Sequence, residues 1–229
     1  MTSTDTPFVQ PAAGGGESPA LYPVALKVRG RPCLVVGGGP VAARKVRSLL
    51  EAGAQVTVVS PDLCAELARG RAAAWNWTPR RYAAGDAAGC LLVVVATGDP
   101  RVNREAAEDA RASGALVNVV DDPEACDFFV PSVARRGPLQ VAVSTSGLAP
   151  GLAVALRRRF EALLPDELGR AVALLGEARL RARERGLDEN KRRRLARELA
   201  GLDLERLLAE GGLSRVESAV TSCISRYWA

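Results

Sequence analysis

A chain of 229 residues, 48% hydrophobic and 25% charged, has room for one large or two modest domains with a true core. It contains no histidine, which removes the commonest metal ligand and general base and excludes Ser-His-Asp and Cys-His hydrolase chemistry. A net charge of +5 admits several kinds of anionic partner, but an aromatic content of 4% argues against a base-stacking surface for nucleic acid.

Residues 1–20, rich in Pro, Gly, Ser and Ala, read as a disordered tail without the basic and apolar regions of a signal peptide. No apolar run approaches the roughly 18 residues of a membrane span. Cys33-Leu34-Val35-Val36 reads as a short buried strand, followed by Gly37-Gly38-Gly39 and a helical pattern that opens at Pro40. This is G-x-G-x-x-A, with Gly37, Gly39 and Ala42 in the small positions. The first permits a tight turn, the second lets backbone approach a pyrophosphate, and the third lets helix and strand pack closely. Pro40 suits a first helical turn, and the free N–H groups there form an anion site. Alone, a glycine triplet is equally an ordinary turn; the strand before it and the helix after it make it a dinucleotide loop.

The helix runs to near Gly53, with Val41, Val46, Leu49 and Leu50 facing inward, and Gln55–Val59 is the second strand. Pro61-Asp62 opens a further helix through Leu67, and Ala74–Trp77 is a third strand or a loop. Leu91–Ala96, a continuous apolar run, suits a parallel strand covered on both faces. Thr97-Gly98-Asp99-Pro100 starts a helix through Ala112, and Leu116–Val120 is another strand. This alternation predicts an α/β fold, a Rossmann-like doubly wound parallel sheet.

After Asp122 the rhythm changes. Phe128–Val133 and Leu139–Ser144 read as strands with no room for a crossover helix between them, hence an antiparallel pair. From Pro150 the pattern is helical: Gly151–Leu164, Glu167–Gly186, Glu189–Gly201 and a short terminal helix near Leu204–Leu208. The predicted plan is a tail over 1–20, a nucleotide domain over 21–123, a strand-rich segment over 124–149 and a helical domain over 150–229. The five scattered cysteines, with no C-x-x-C, fit reduced thiols in the cytoplasm and give no metal site.

GGGPVAARK, VVVATGD, VNVVDDP followed by CDFFVP, LQVAVSTSGLAPGLA and the helix ending in LLP together resemble the precorrin-2 dehydrogenases of sirohaem synthesis. The likeness covers roughly Leu21 to Gly186, and no methyltransferase domain is expected to follow. It implies oxidation of precorrin-2 with hydride passing to NAD, and a homodimer joined through the strand-rich segment. It places NAD over Gly37, Gly38, Gly39, Pro40 and Val41, with Ser60, Pro61 and Asp62 beside the adenosine ribose. Thr97 and Gly98 would border the cofactor, although the family generally has an acidic or amide residue where this chain has Gly98. With Asp62 near the ribose and no adjacent arginine, NAD is expected over NADP.

The family's important carboxylate matches Asp121. On residue type alone, an Asp before Asp122-Pro123 reads as a turn cap; the resemblance makes it the proton acceptor and leaves capping to Asp122. Ser144, Thr145 and Ser146 precede a helix and either bind a substrate carboxylate or cap that helix. Arg135, Arg136 and the run Arg157–Arg159 offer cations for substrate carboxylates, of which one or two are expected to serve. Lys191–Arg194 reads as a solvated helix face. Two alternatives stand beside the dehydrogenase: a bifunctional enzyme that also inserts Fe²⁺ into sirohydrochlorin, and an NAD-sensing regulatory module. No nucleic-acid or membrane partner is expected.

Overall fold

The computed structural model describes residues 21–70 and 74–228, so the expected disordered tail lies outside the described residues. The chain forms two compact units, the first ending at Phe129 and the second beginning at Val130.

In the first unit, β1 (Pro32–Val36), α1 (Pro40–Glu51), β2 (Gln55–Val59), α2 (Ala65–Arg69), β3 (Asn76–Thr78), β4 (Leu92–Val95), α3 (Pro100–Ala112) and β5 (Leu116–Val119) follow one another. The five strands are parallel in the order β3-β2-β1-β4-β5. Both faces are apolar, as continuous Val/Leu runs require. Cys33, Val35, Val56, Val58 and Val94 meet Ala42, Ala43 and Val46 of α1 on one face. Leu34, Val36, Val93, Val95 and Val117 meet Ala106, Ala107 and Ala110 of α3 on the other. Alanines at the contact let each helix lie close to the sheet.

The register decides where function can sit. Val36 pairs with both Val59 and Val95, Val59 with Thr78, and Val95 with Val119. All five strands therefore end level, and the loops after β1, β2, β4 and β5 leave from one edge. Between β1 and β4 the chain order reverses, which opens the crevice where such sheets bind ligands.

Two local expectations are corrected. Pro61–Leu63 is not helical: Ser60 Oγ donates to the Asp62 carbonyl at 2.7 Å and Cys64 N to the Gly38 carbonyl at 2.7 Å, which ties this segment to the glycine loop and delays α2 to Ala65. The third strand lies at Asn76–Thr78, where Trp77 Nε1 donates to the Ser60 carbonyl at 2.9 Å. The β3–β4 crossing is a loop, with Tyr82, Ala87 and Cys90 packed on the α3 face in place of a helix.

The second unit contains β6 (Ser132–Arg136) and β7 (Leu139–Val143), antiparallel and joined at Gly137-Pro138. Gly137 takes a φ of 56°, which favours glycine in this turn. Strand β6 begins later than expected. Phe128 uses its carbonyl on the Asn118 side chain at 3.0 Å, which holds it to β5 instead. Helices α4 (Pro150–Leu163), α5 (Leu168–Glu184), α6 (Glu189–Ala200) and α7 (Leu204–Ser225) complete the unit. The last helix is much longer than expected, because its pattern resumes after a break at Gly211-Gly212. Val216, Val220 and Ile224 from that second stretch join Ala171, Ala178, Leu195 and Leu199 in the core. The strand pair packs against α4 and α5, so strands and helices that the sequence separates belong to one unit.

Candidate functional site

The site begins with the turn after β1. Gly37 adopts a φ of 117°, and a Cβ there would strike the Ala96 carbonyl. A Cβ on Gly38 would strike the Asp62 carbonyl, whereas one on Gly39 would meet nothing within 4 Å. The open space at Gly39 lies at the N-terminus of α1, which begins at Pro40 and has no side-chain cap. By contrast α3 is capped, Asp99 Oδ1 accepting from Arg101 N at 2.9 Å. The first-turn N–H groups of α1 and its dipole are therefore available to an anion. This fits a pyrophosphate: the cradle is room that a side chain at residue 39 would fill.

Around this turn lies a cleft of about 330 Å³ in the first unit. Seven expected residues line it: Gly37, Gly38, Gly39, Ser60, Pro61, Thr97 and Gly98. Three others do not. Pro40 and Val41 continue into α1, and the exposed Asp62 turns its carbonyl back toward the glycine loop. Thr97 is held by its hydroxyl, which accepts from Asp99 N at 3.1 Å and lies 2.5 Å from Asn103 Oδ1. Gly98 is exposed, with open space where a side chain would stand.

Sequence reasoning missed Arg81 and Tyr82, which also line the cleft. They belong to the β3–β4 loop, whose pattern carries no helix or strand periodicity. Arg80 grips Asp86 with both terminal nitrogens, at 2.7 and 2.6 Å, and the Tyr82 hydroxyl donates to the Asp109 carboxylate. Burial, and then that carboxylate, push the Tyr82 pKa far up, so the phenol stays a donor. The bidentate Arg80 contact holds the Asp86 carboxyl below its ordinary range.

Asp121 follows β5 at the same sheet edge, two strands from β1, which sets it about 10 Å across the sheet. It does not line the cleft itself. It is exposed, with a φ of 62°, a left-handed conformation that Asp tolerates better than most residues. Capping falls to its neighbour: Asp122 Oδ1 accepts from Ala125 N at 3.3 Å.

In the second unit, Thr145 Oγ1 accepts from Ala149 N at 3.2 Å and Ser144 Oγ from Ser146 N at 3.2 Å, shaping the turn before α4. Ser146 has a φ of 52°. Arg135 is exposed on β6. Arg136 is engaged structurally: Nε donates to the Leu164 carbonyl at 3.3 Å and Nη2 to the Glu161 carbonyl at 3.2 Å, with Asp166 at 3.2 Å. Arg136, expected to meet substrate, thus clamps the end of α4, where the Glu161 carbonyl also accepts from Leu164 N at 3.3 Å.

Comparison with known proteins accords with these two halves. A sequence profile of an NAD(P)-binding family matches residues 24–132, and one for the central domain of a sirohaem biosynthesis protein matches residues 136–163. A sirohaem synthase of Thioalkalivibrio sulfidiphilus is 47% identical over 174 residues, 76% of this chain and 36% of that protein. Sirohaem synthase 3 of Aeromonas hydrophila is 43% identical over 191 residues, 82% of this chain and 41% of that protein. A solved structure of SirC, a precorrin-2 dehydrogenase, superposes with a TM-score of 0.72 at 26% identity, covering 90% of this chain and 100% of its own. Over most of its length the chain is thus similar to sirohaem synthases and to a precorrin-2 dehydrogenase. It spans well under half the length of the sirohaem synthases named above. The first profile contains every cleft residue, and the second runs from the Arg136 clamp to Leu163 at the end of α4.

Proposed function

We propose that this protein oxidises precorrin-2 to sirohydrochlorin in sirohaem biosynthesis, with NAD as the hydride acceptor. The observation that carries the reading is the uncapped N-terminus of α1 opening on a cleft at the switch point, in a chain alike over 90% of its length to a precorrin-2 dehydrogenase. When bound, NAD supplies the two-electron acceptor. The chain's residues do the rest. The α1 N–H groups hold the pyrophosphate, Ser60 and Pro61 border the ribose, and Thr97 and Gly98 border the nicotinamide side. Asp121 accepts the proton that accompanies hydride loss; no cap or ion pair among the described residues engages its carboxylate. Ser144, Thr145, Ser146 and Arg135 bind substrate carboxylates through hydroxyl and guanidinium donors.

The protein works as a homodimer in the cytoplasm. Leu152, Phe160 and Leu163 of α4 are 54%, 43% and 72% exposed, an apolar face that a second copy would cover. All five cysteines are unbridged, which suits a reducing compartment. No helix among the described residues is long and apolar enough to cross a membrane.

The test is anaerobic incubation with precorrin-2 and NAD, following NADH and the sirohydrochlorin spectrum together. Equimolar appearance of both is expected. Binding of NADH without turnover would refute the dehydrogenase and favour a sensing module.

A further inference from the structure

The cleft carries a cation that the proposed reaction does not use. Arg81 lines it, and no hydrogen bond, ion pair or ring contact among the described residues engages its side chain. Its backbone is held from both sides, by the bidentate Arg80–Asp86 pair and by the Tyr82–Asp109 hydrogen bond. Among the described residues, the only other charged one lining the cleft, Asp99, is committed to capping α3.

Position narrows what Arg81 meets. The pyrophosphate is served by the α1 N-terminus. Strand order β3-β2-β1 brings the loop after β3 beside the end of β2, where Ser60 and Pro61 mark the adenosine ribose. In sites of this kind an acidic residue after β2 hydrogen-bonds the ribose 2′-hydroxyl and excludes a phosphate, whereas an arginine accommodates one. Here Asp62 is exposed and outside the cleft, and an arginine stands inside it.

We infer that Arg81 binds the 2′-phosphate of NADP, so that the cleft accepts NADP as well as NAD. This rests on the reading of the cleft as a dinucleotide site. A guanidinium–phosphate contact absent with NAD makes the ratio of the two affinities depend on residue 81.

The test is fluorescence titration of the purified chain with NADH and with NADPH, for the wild type, Arg81→Ala and Arg81→Gln. Arg81 is exposed, so neither substitution disturbs the core. NADPH is expected to bind the wild type within about threefold of NADH. The NADPH-to-NADH affinity ratio should fall by roughly tenfold or more in both variants, the worth of a charged hydrogen bond. Adenosine 2′,5′-bisphosphate should displace NADH from the wild type better than AMP does, and lose that advantage in Arg81→Ala. NADH binding without NADPH binding would overturn the inference, as would an equal loss of both in the variants. Failure of both to bind the wild type would remove the dinucleotide reading as well.

Discussion

Gly38 and Asp62 face each other so closely that a Cβ on the glycine would collide with the Asp62 carbonyl oxygen. The same glycine's carbonyl accepts from Cys64 N at 2.7 Å, so the loops after β1 and β2 are locked backbone to backbone. A backbone oxygen cannot rotate away. Gly38→Ala is therefore expected to cost about 1–3 kcal/mol of stability, through overpacking, and to abolish NADH binding. Calorimetry and NADH fluorescence check both parts. Gly39→Ser is the counterpart: the side chain enters open space, and serine caps helices well, so Tm should hold. Its hydroxyl would occupy the donors meant for pyrophosphate, and NADH affinity should fall by roughly tenfold or more.

Asp121 makes no cap, so Asp121→Asn should leave both Tm and NADH affinity nearly unchanged. Oxidation of precorrin-2 should drop by about 10²–10⁴-fold, the usual worth of a positioned base. Asp121→Gly relieves the left-handed backbone, whose φ is 62°, and should be at least as stable as the wild type while equally inactive. Single-turnover kinetics beside thermal melts give the answer; substantial turnover in the Asn variant would remove Asp121 from the chemistry.

The Asp86–Arg80 pair gives a pH signature. Its carboxyl is held down chiefly by the Arg80 hydrogen bond, against an opposing effect of burial. A folded pKa below the unfolded value, about 3.9, means the stabilisation is complete above that value and disappears as pH falls through it and then through the folded pKa. Asp86→Asn should thus melt below the wild type at pH 7, with a narrower gap at about pH 3, below the unfolded pKa. An equal gap at both pH values would show that the pair's charge contributes nothing.

Arg136 and Arg135 are neighbours with different expected fates. Arg136→Ala removes the donors to Leu164 and Glu161 and the ion pair to Asp166, and should lower the melting temperature through loss of about 1–3 kcal/mol. Its activity should fall only with the folded fraction. Arg135→Ala should keep its fold and raise KM for precorrin-2. A KM effect confined to Arg136→Ala would reverse the assignment.

Replacing Leu152 and Leu163 together by Glu should leave the core untouched, since both side chains are exposed on α4. If that face joins two copies, sedimentation should report a dimer for the wild type and a monomer for the variant. A wild type that stays monomeric at all concentrations would dismiss the homodimer.

Much of this protein was legible before folding. The run Cys33–Val36, the glycines after it and Leu92–Val95 announce a parallel sheet through local chemistry: apolar continuity means burial on both faces, and glycines mean close backbone approach. That a turn cap stands before Pro123 is equally local, although residue type alone gives it to Asp121 and only the resemblance leaves it to Asp122, whose carboxylate accepts from Ala125 N. Period and turn chemistry act over a few residues, so a sequence displays them directly. What only the tertiary structure decided depends on residues far apart in the chain. Asp62 reads as a ribose ligand until Ser60 and Gly38 turn its carbonyl inward and leave its carboxylate outside the cleft. Arg81 reads as one arginine among many until the crossing from β3 to β4 seats it in the cleft. Arg136 looks like a substrate cation until the end of α4 brings two backbone carbonyls within its reach. In each case a side chain's partner is set by how distant segments pack, because burial and hydrogen-bond geometry are properties of space and not of spacing along the chain.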